Sequence, residues 1–342
     1  MPSLTTGKPD RQPLRGRASL YGVTELPFRF AAQAVPEDAD QWLAIARRAE
    51  ALGYSSLLMP DGMQLPSPVP ALAVAAGATT TLRIGTWVLA SPLRAARLAA
   101  WDAHTLSLLT GGRFELGIGT GRPDVAADAV RLLGQPEMTV AQRLARVEQT
   151  IDDLRALDGE RHTPVLVAAA GPKSRALAAA KADIVTLAVG PFASREEVAG
   201  LVAEVREAAG GRGAGLEFAA PVFVVGDEAP PWLLRFLGAD MATLIARDSL
   251  VILRGTPAQM TIELRRRRDV LGISYFSVNG TFIEQFAPVV ESLTGRLPVL
   301  GEPWPDAGEC QRGDEDQANR GQAQLPADGA VLAVGDGRGE GP

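Results

Sequence analysis

The segment Arg113-Phe114-Glu115-Leu116-Gly117-Ile118-Gly119-Thr120-Gly121-Arg122 reads as a short strand running into three glycines at alternate positions. A side chain at any of them would block close approach of the backbone to a flat ring or a phosphate. At the C-terminal end of a buried strand in an α/β protein, such a turn belongs to the functional rim. A second segment, Ala168-Ala169-Ala170-Gly171-Pro172-Lys173-Ser174, is a small-residue loop entering a helix. Free N–H groups and the positive end of a helix dipole suit a phosphate there, and Lys173 adds a charge. An ordinary βα turn with a capped helix explains the loop equally well. Gln33 and Asp61 fall at predicted strand ends. Gln33 either hydrogen-bonds a substrate or ring, or satisfies a buried backbone group. For Asp61, catalysis competes with an N-cap role, and carboxylates at strand ends of this architecture are more often functional. Trp87 either packs on a ligand face or fills the interior.

The elements that must carry these residues alternate. Strands are predicted at Phe28–Ala34, Tyr54–Pro60, Leu82–Ala90, Arg113–Gly117, Pro164–Ala169, Asp183–Val189, Leu216–Val225 and Ile273–Val278. Helical periodicity falls between them at Asp38–Leu52, Pro70–Thr80, Leu93–Leu109, Val140–Leu157, Pro172–Lys181, Ser194–Ala209, Pro230–Ala246 and Thr256–Leu271. A last helix is predicted at Ile283–Leu293. Eight strands, each followed by helix, fit a (β/α)8 TIM barrel over residues 27–296, and fit a doubly wound open sheet less well. Residues 1–26 read as a flexible arm. Residues 297–342 read as a disordered acidic tail, too polar to bury the area that ordering demands.

Composition narrows the chemistry. The net charge of −6 lies entirely in that tail, which holds nine Asp/Glu against three Arg. A neutral body without a basic stripe argues against nucleic-acid partners. With Cys310 as sole cysteine and only His104 and His162, Cys/His zinc sites, iron–sulfur clusters and a Cys–His nucleophile are excluded by count, and no metal is expected. His104 reads as a packing histidine and His162 as an exposed one. No run of eighteen apolar residues is present, so no membrane association is expected, and the default compartment is the cytoplasm.

Taken together, Phe28–Ala34, Ala46–Tyr54, Met59-Pro60-Asp61, Thr81–Leu89, Gly111–Gly121, Pro164–Pro172 and Ala182–Val185 resemble the bacterial luciferase-like family of flavin and deazaflavin oxidoreductases. Within it the chain is most similar to the actinobacterial branch assigned to the deazaflavin coenzyme F420. The resemblance implies F420, or alternatively flavin mononucleotide (FMN), acting on a small organic substrate by hydride transfer or monooxygenation. It implies that Gly119, Thr120 and Gly121 touch the ring, and that Ala168, Ala169, Ala170, Gly171, Pro172 and Lys173 hold the phosphate. A bulge or non-proline cis peptide is implied behind the ring, at Trp87–Val88. Homodimerisation is implied as well. Two positions depart from the pattern. Many relatives read Asp-His after strand two, where this chain has Asp61-Gly62, and an acidic residue of some relatives is here Arg122, suited to an anionic substrate or phosphate. Two alternatives therefore stand: a redox-inactive barrel serving as a binding or accessory protein, and a cofactor-free isomerase or lyase using Asp61 or Gln33.

Overall fold

The computed structural model describes residues 17–18 and 24–295. Apart from Arg17–Ala18 pairing antiparallel with Thr24–Glu25, the expected arm lies outside the described residues, as does the whole acidic tail. The strands are β1 (Arg29–Gln33), β2 (Ser56–Met59), β3 (Arg83–Thr86), β4 (Phe114–Gly119), β5 (Val165–Ala169), β6 (Ile184–Leu187), β7 (Glu217–Val222) and β8 (Ile273–Asn279). All pair in parallel, β8 closing onto β1 and β3 onto β4, so the sheet is a closed eight-stranded barrel. Such a ring leaves no unpaired edge.

The surrounding helices are α1 (Ala39–Ala51), α2 (Pro68–Gly77), α3 (Ala96–Leu109), α4 (Pro123–Leu133), α5 (Val140–Asp158), α6 (Pro172–Lys181), α7 (Arg195–Ala209), α8 (Pro231–Leu237), α9 (Met241–Ala246), α10 (Pro257–Arg266) and α11 (Ile283–Thr294). Local chemistry sets their ends. Asp38 caps α1 by accepting from the Gln41 N–H at 2.8 Å, and Trp42, Ile45, Ala46 and Ala49 bury one face. Thr139 and Gln142 form a reciprocal capping box on α5.

Four segments differ from the sequence expectation. Helix α4 was not anticipated. Pro123 opens it, Gly134 closes it in the left-handed conformation, and Val125 and Ala129 pack on Ala90 and Leu93. The Pro230–Ala246 helix is two, because Gly238 takes φ 65° and ends α8. The third strand stops at Thr86 and resumes at Leu89–Ala90, now paired with the end of β4. The seventh stops at Val222; Val224–Val225 leaves the barrel and pairs with Ile252–Leu253.

Inside the barrel, alternation stacks the inward side chains in layers. At the N-terminal end Arg29 and Arg83 both grip Glu115, and Arg29 also binds Glu217 at 2.6 Å and lies over the Tyr275 ring at 4.1 Å. Burial pushes Glu115 toward protonation, yet the two guanidiniums outweigh it and hold the carboxyl below its usual range. Burial wins at Glu217, which is raised. The next layer is Ala31, Leu58, Leu166, Ile184, Ala219 and Tyr275. An ion-paired layer of two arginines and two glutamates thus occupies the N-terminal end of the barrel.

Candidate active site

At the C-terminal mouth, Gln33, Trp87, Val88, Thr120, Ala168 and Pro221 are half-buried side chains on strands or the turns that follow them. Trp87 and Val88 pack on the interior layer, and the peptide between them is cis, as the resemblance implies. The three alternate glycines, two on β4 and Gly121 in the turn after it, serve this segment of the chain itself. A Cβ on Gly117 would lie 1.9 Å from the Thr86 carbonyl oxygen; one on Gly119 would lie 3.1 Å from both Val88 Cγ2 and Ala168 Cβ. Gly121, at φ 74°, has Pro92 at 3.1 Å from the same point. Close approach does explain the glycines, and within the chain the approaching groups are Thr86, Val88, Ala168 and Pro92. Thr86 fixes the contact by donating from Oγ1 to the Gly117 oxygen at 2.7 Å and accepting from the Gly117 N–H at 2.9 Å.

Asp61 is not open to the mouth. Its carboxylate is ion-paired to Arg94, accepts the Ala90 N–H at 3.0 Å, and leaves 2% of the side chain exposed. A carboxylate so held anchors the turn after the broken strand and has no exposed oxygen for proton transfer. This corrects its place among the catalytic candidates. Beside it, the Gln64 amide lies 2.8 Å from the point a Cβ on Gly62 would occupy. Gln33 fares differently. Ser277 donates to its Oε1 at 3.0 Å, which leaves the amide N–H groups directed by that bond and without a protein partner among the described residues. Arg122 sits at the rim as the residue before α4. It donates to both oxygens of Asp124, at 3.0 and 2.6 Å, with its guanidinium 5.9 Å from the Phe236 ring centre.

The loop from β5 to α6 is partly self-satisfied. Ser174 Oγ accepts from the Ala170 and Gly171 N–H groups, both at 3.0 Å, so the free amides expected at those two residues are taken. Pro172 has no N–H. Helix geometry leaves the Lys173 and Ser174 N–H groups without intrahelical acceptors, and the Lys173 side chain is exposed beside them. A Cβ on Gly171 would meet nothing within 4 Å, so the space before the helix is open. The histidines are elsewhere: His104 Nδ1 is 2.8 Å from Asp158, and His162 Nε2 is 2.8 Å from Asp183. Arg94, Gln64 and Ser277 escaped the sequence reading, since nothing in their spacing ties them to Asp61, Gly62 or Gln33. Among the described residues no three His, Cys, Asp or Glu gather to hold a metal, and no helix is long and apolar enough to cross a membrane.

A closed parallel barrel with this broken third strand and glycine-lined fourth defines a class, and comparison agrees. The luciferase-like monooxygenase family matches over residues 21–231; the chain belongs to that family. An uncharacterised protein of Mycobacterium tuberculosis is 31% identical over 154 residues, covering 38% of this chain and 51% of its own length. The chain therefore spans about half the length of the curated relatives it matches. Among solved structures, an F420-dependent secondary alcohol dehydrogenase in complex with an F420–acetone adduct superposes with TM-score 0.64 at 16% identity, over 81% of this chain and all of the other. The EDTA monooxygenase of Chelativorans sp. BNC1 gives 0.61 at 16% identity, over 80% and 95%. The F420-dependent tetrahydromethanopterin reductase of Methanopyrus kandleri gives 0.59 at 16%, over 79% and 99%. At these identities the likeness establishes the fold.

Proposed function

We propose that this chain is an oxidoreductase that holds coenzyme F420 at the barrel mouth and acts on a small organic substrate. The observation that carries this reading is the mouth itself. It has an uncharged floor of Val88, Gly119 and Ala168, bordered by the start of α6 with two helix-terminal amides and Lys173. An uncharged floor suits a planar tricycle, and the helix start suits its anionic tail. Val88, Gly119, Thr120, Gly121, Ala168 and Trp87 would border the ring, and the Ala169–Lys173 segment its phosphate. When bound, the cofactor supplies hydride chemistry. The protein's part is to orient it and exclude water. Gln33, its carbonyl held by Ser277, would donate an N–H to the substrate or ring. Asp61 acts by fixing Arg94 and the turn at Ala90. Arg122, balanced by Asp124, would meet an anionic substituent at the rim. FMN meets the same floor and helix start and is the alternative cofactor. The sealing of Asp61 weighs against a cofactor-free isomerase or lyase.

Titration of the purified chain with F420 and with FMN, followed by fluorescence, tests the reading. Micromolar binding of F420, with FMN at least about tenfold weaker, is expected; each tenfold corresponds to about 1.4 kcal/mol. Absence of binding by both would leave a redox-inactive barrel.

We also propose that two copies pair. Helix α3 exposes Leu98, Trp101 and Leu108 along one stripe, Trp101 being 62% exposed. A tryptophan so placed is the residue type that anchors interfaces. Trp101→Glu should convert a dimer to a monomer in sedimentation equilibrium while leaving thermal stability within about 0.5 kcal/mol. A wild-type monomer at micromolar concentration would refute the pairing.

A further inference from the structure

The barrel wall is not continuous around the mouth. Strand β6 pairs with β7 only from Ile184↔Glu217 to Ala219↔Thr186. Beyond that rung β6 follows β5, through Leu187↔Ala169, while β7 follows β8, through Val222↔Val278. The two strands part, and a pocket fills the gap. Its walls are Leu187, Val189 and Gly190 on one side and Ala220 and Pro221 on the other, with Phe218 below. Val198 and Val202 of α7 and Leu250–Val251 close it from outside. Every lining side chain is apolar.

The gap is held in place by its surroundings. Phe223 donates its N–H to the Val251 oxygen at 2.8 Å, and Ser249 Oγ donates to the Pro191 oxygen at 2.5 Å. Asp248 turns the chain at φ 47°, and Arg195 grips its carboxylate at 2.6 and 3.0 Å. The outer wall is thereby tied to both the β6 and the β7 sides. The pocket shares wall residues with the barrel interior and the mouth. Ala219 belongs both to the pocket lining and to the interior layer beneath the mouth, and Pro221, two residues on, faces the same way. From Pro221 to Phe218 the strand drops about 10 Å.

From this we infer that the seam between β6 and β7 is a specificity pocket for a short, uncharged alkyl group of the substrate whose reacting end lies at the mouth. The inference rests on the reading of the mouth as the reaction site. A charged or hydrogen-bonding group entering the seam would lose its hydration and find no partner, whereas each methylene buried there gains about fourfold in affinity.

The test uses the full chain and a series of straight-chain alcohols from 1-propanol to 1-hexanol, with affinity read by saturation-transfer NMR, without and with saturating F420. A gain of about fourfold per methylene is expected until the cavity of about 50 Å³ is filled, after about two methylenes, with a plateau beyond. Gly190→Leu should abolish that gain, because Gly190 lines the seam and a Cβ there meets nothing within 4 Å, which leaves room for the longer side chain. Gly190→Ala should retain it, and F420 affinity should change less than twofold in both variants. Affinity independent of chain length, or a gain that survives Gly190→Leu, would overturn the inference. Loss of F420 binding in the wild type with the chain-length gain intact would overturn the cofactor reading instead, since the seam is probed without it.

Discussion

Replacing Gly117 with alanine is expected to lower the thermal midpoint by roughly 5 °C or more, the equivalent of at least about 3 kcal/mol for a domain of this size. The new methyl would sit 1.9 Å from the Thr86 carbonyl oxygen and 2.9 Å from its carbonyl carbon. Both are backbone atoms, so no rotamer change relieves the overlap. Nor can the strands move apart cheaply, because Thr86 Oγ1 is bonded to both the N–H and the oxygen of Gly117. Gly119→Ala is the built-in comparison. Its methyl meets Val88 Cγ2 and Ala168 Cβ at 3.1 Å, side-chain atoms that can shift by tenths of an ångström, so a cost below about 1.5 kcal/mol is expected. Gly119→Ala should act on the cofactor instead, weakening F420 several-fold by raising the floor on which the ring would rest. Calorimetric unfolding of the two variants decides the matter; equal midpoints would mean that the tightness of β3 against β4 has been misread.

The difference between those two glycines shows what could be read from residue order alone. The alternation Gly117, Gly119, Gly121 signals close approach on a strand, and close approach is what the structure contains. The identity of the approaching group was not legible, because it comes from Thr86, Val88 and Pro92, residues about thirty positions earlier that only closure of the barrel brings alongside. The barrel itself was legible. Each strand is a short apolar run and each connection holds a helix, several of them with an interpretable cap such as Asp38 or Ser194. Expectation failed where local signals gave out. Helix α4 has only Val125 and Ala129 as a buried face, and Val224–Val225 leaves the barrel to pair with Ile252–Leu253, a partner that no local pattern announces. Asp61 illustrates the same limit at the site. A carboxylate at a strand end carries no mark of whether a guanidinium thirty-three residues away will neutralise it, as Arg94 does.

Gly171→Asp is expected to weaken F420 and FMN by about a hundredfold or more without destabilising the chain, and that combination gives the variant its force. Gly171 is the N-cap of α6, at φ −98°, a backbone any residue adopts, and a Cβ there meets nothing within 4 Å. Aspartate is among the preferred N-cap residues, so stability should hold or rise by a few tenths of a kcal/mol. The same carboxylate would then lie at the positive end of the helix and beside Lys173, where the phosphate is proposed to bind. It would take the Lys173 and Ser174 N–H groups and repel the incoming anion. Gly171→Asn separates the two effects, since the amide can occupy the donors without the charge and should cost about tenfold. Riboflavin, which lacks the phosphate, provides the matching control on the ligand side and should bind wild type and Gly171→Asp alike within about twofold. If FMN and F420 bound Gly171→Asp as tightly as they bind the wild type, the anionic tail would have to lie elsewhere on the rim, with Arg122 the next cation to test.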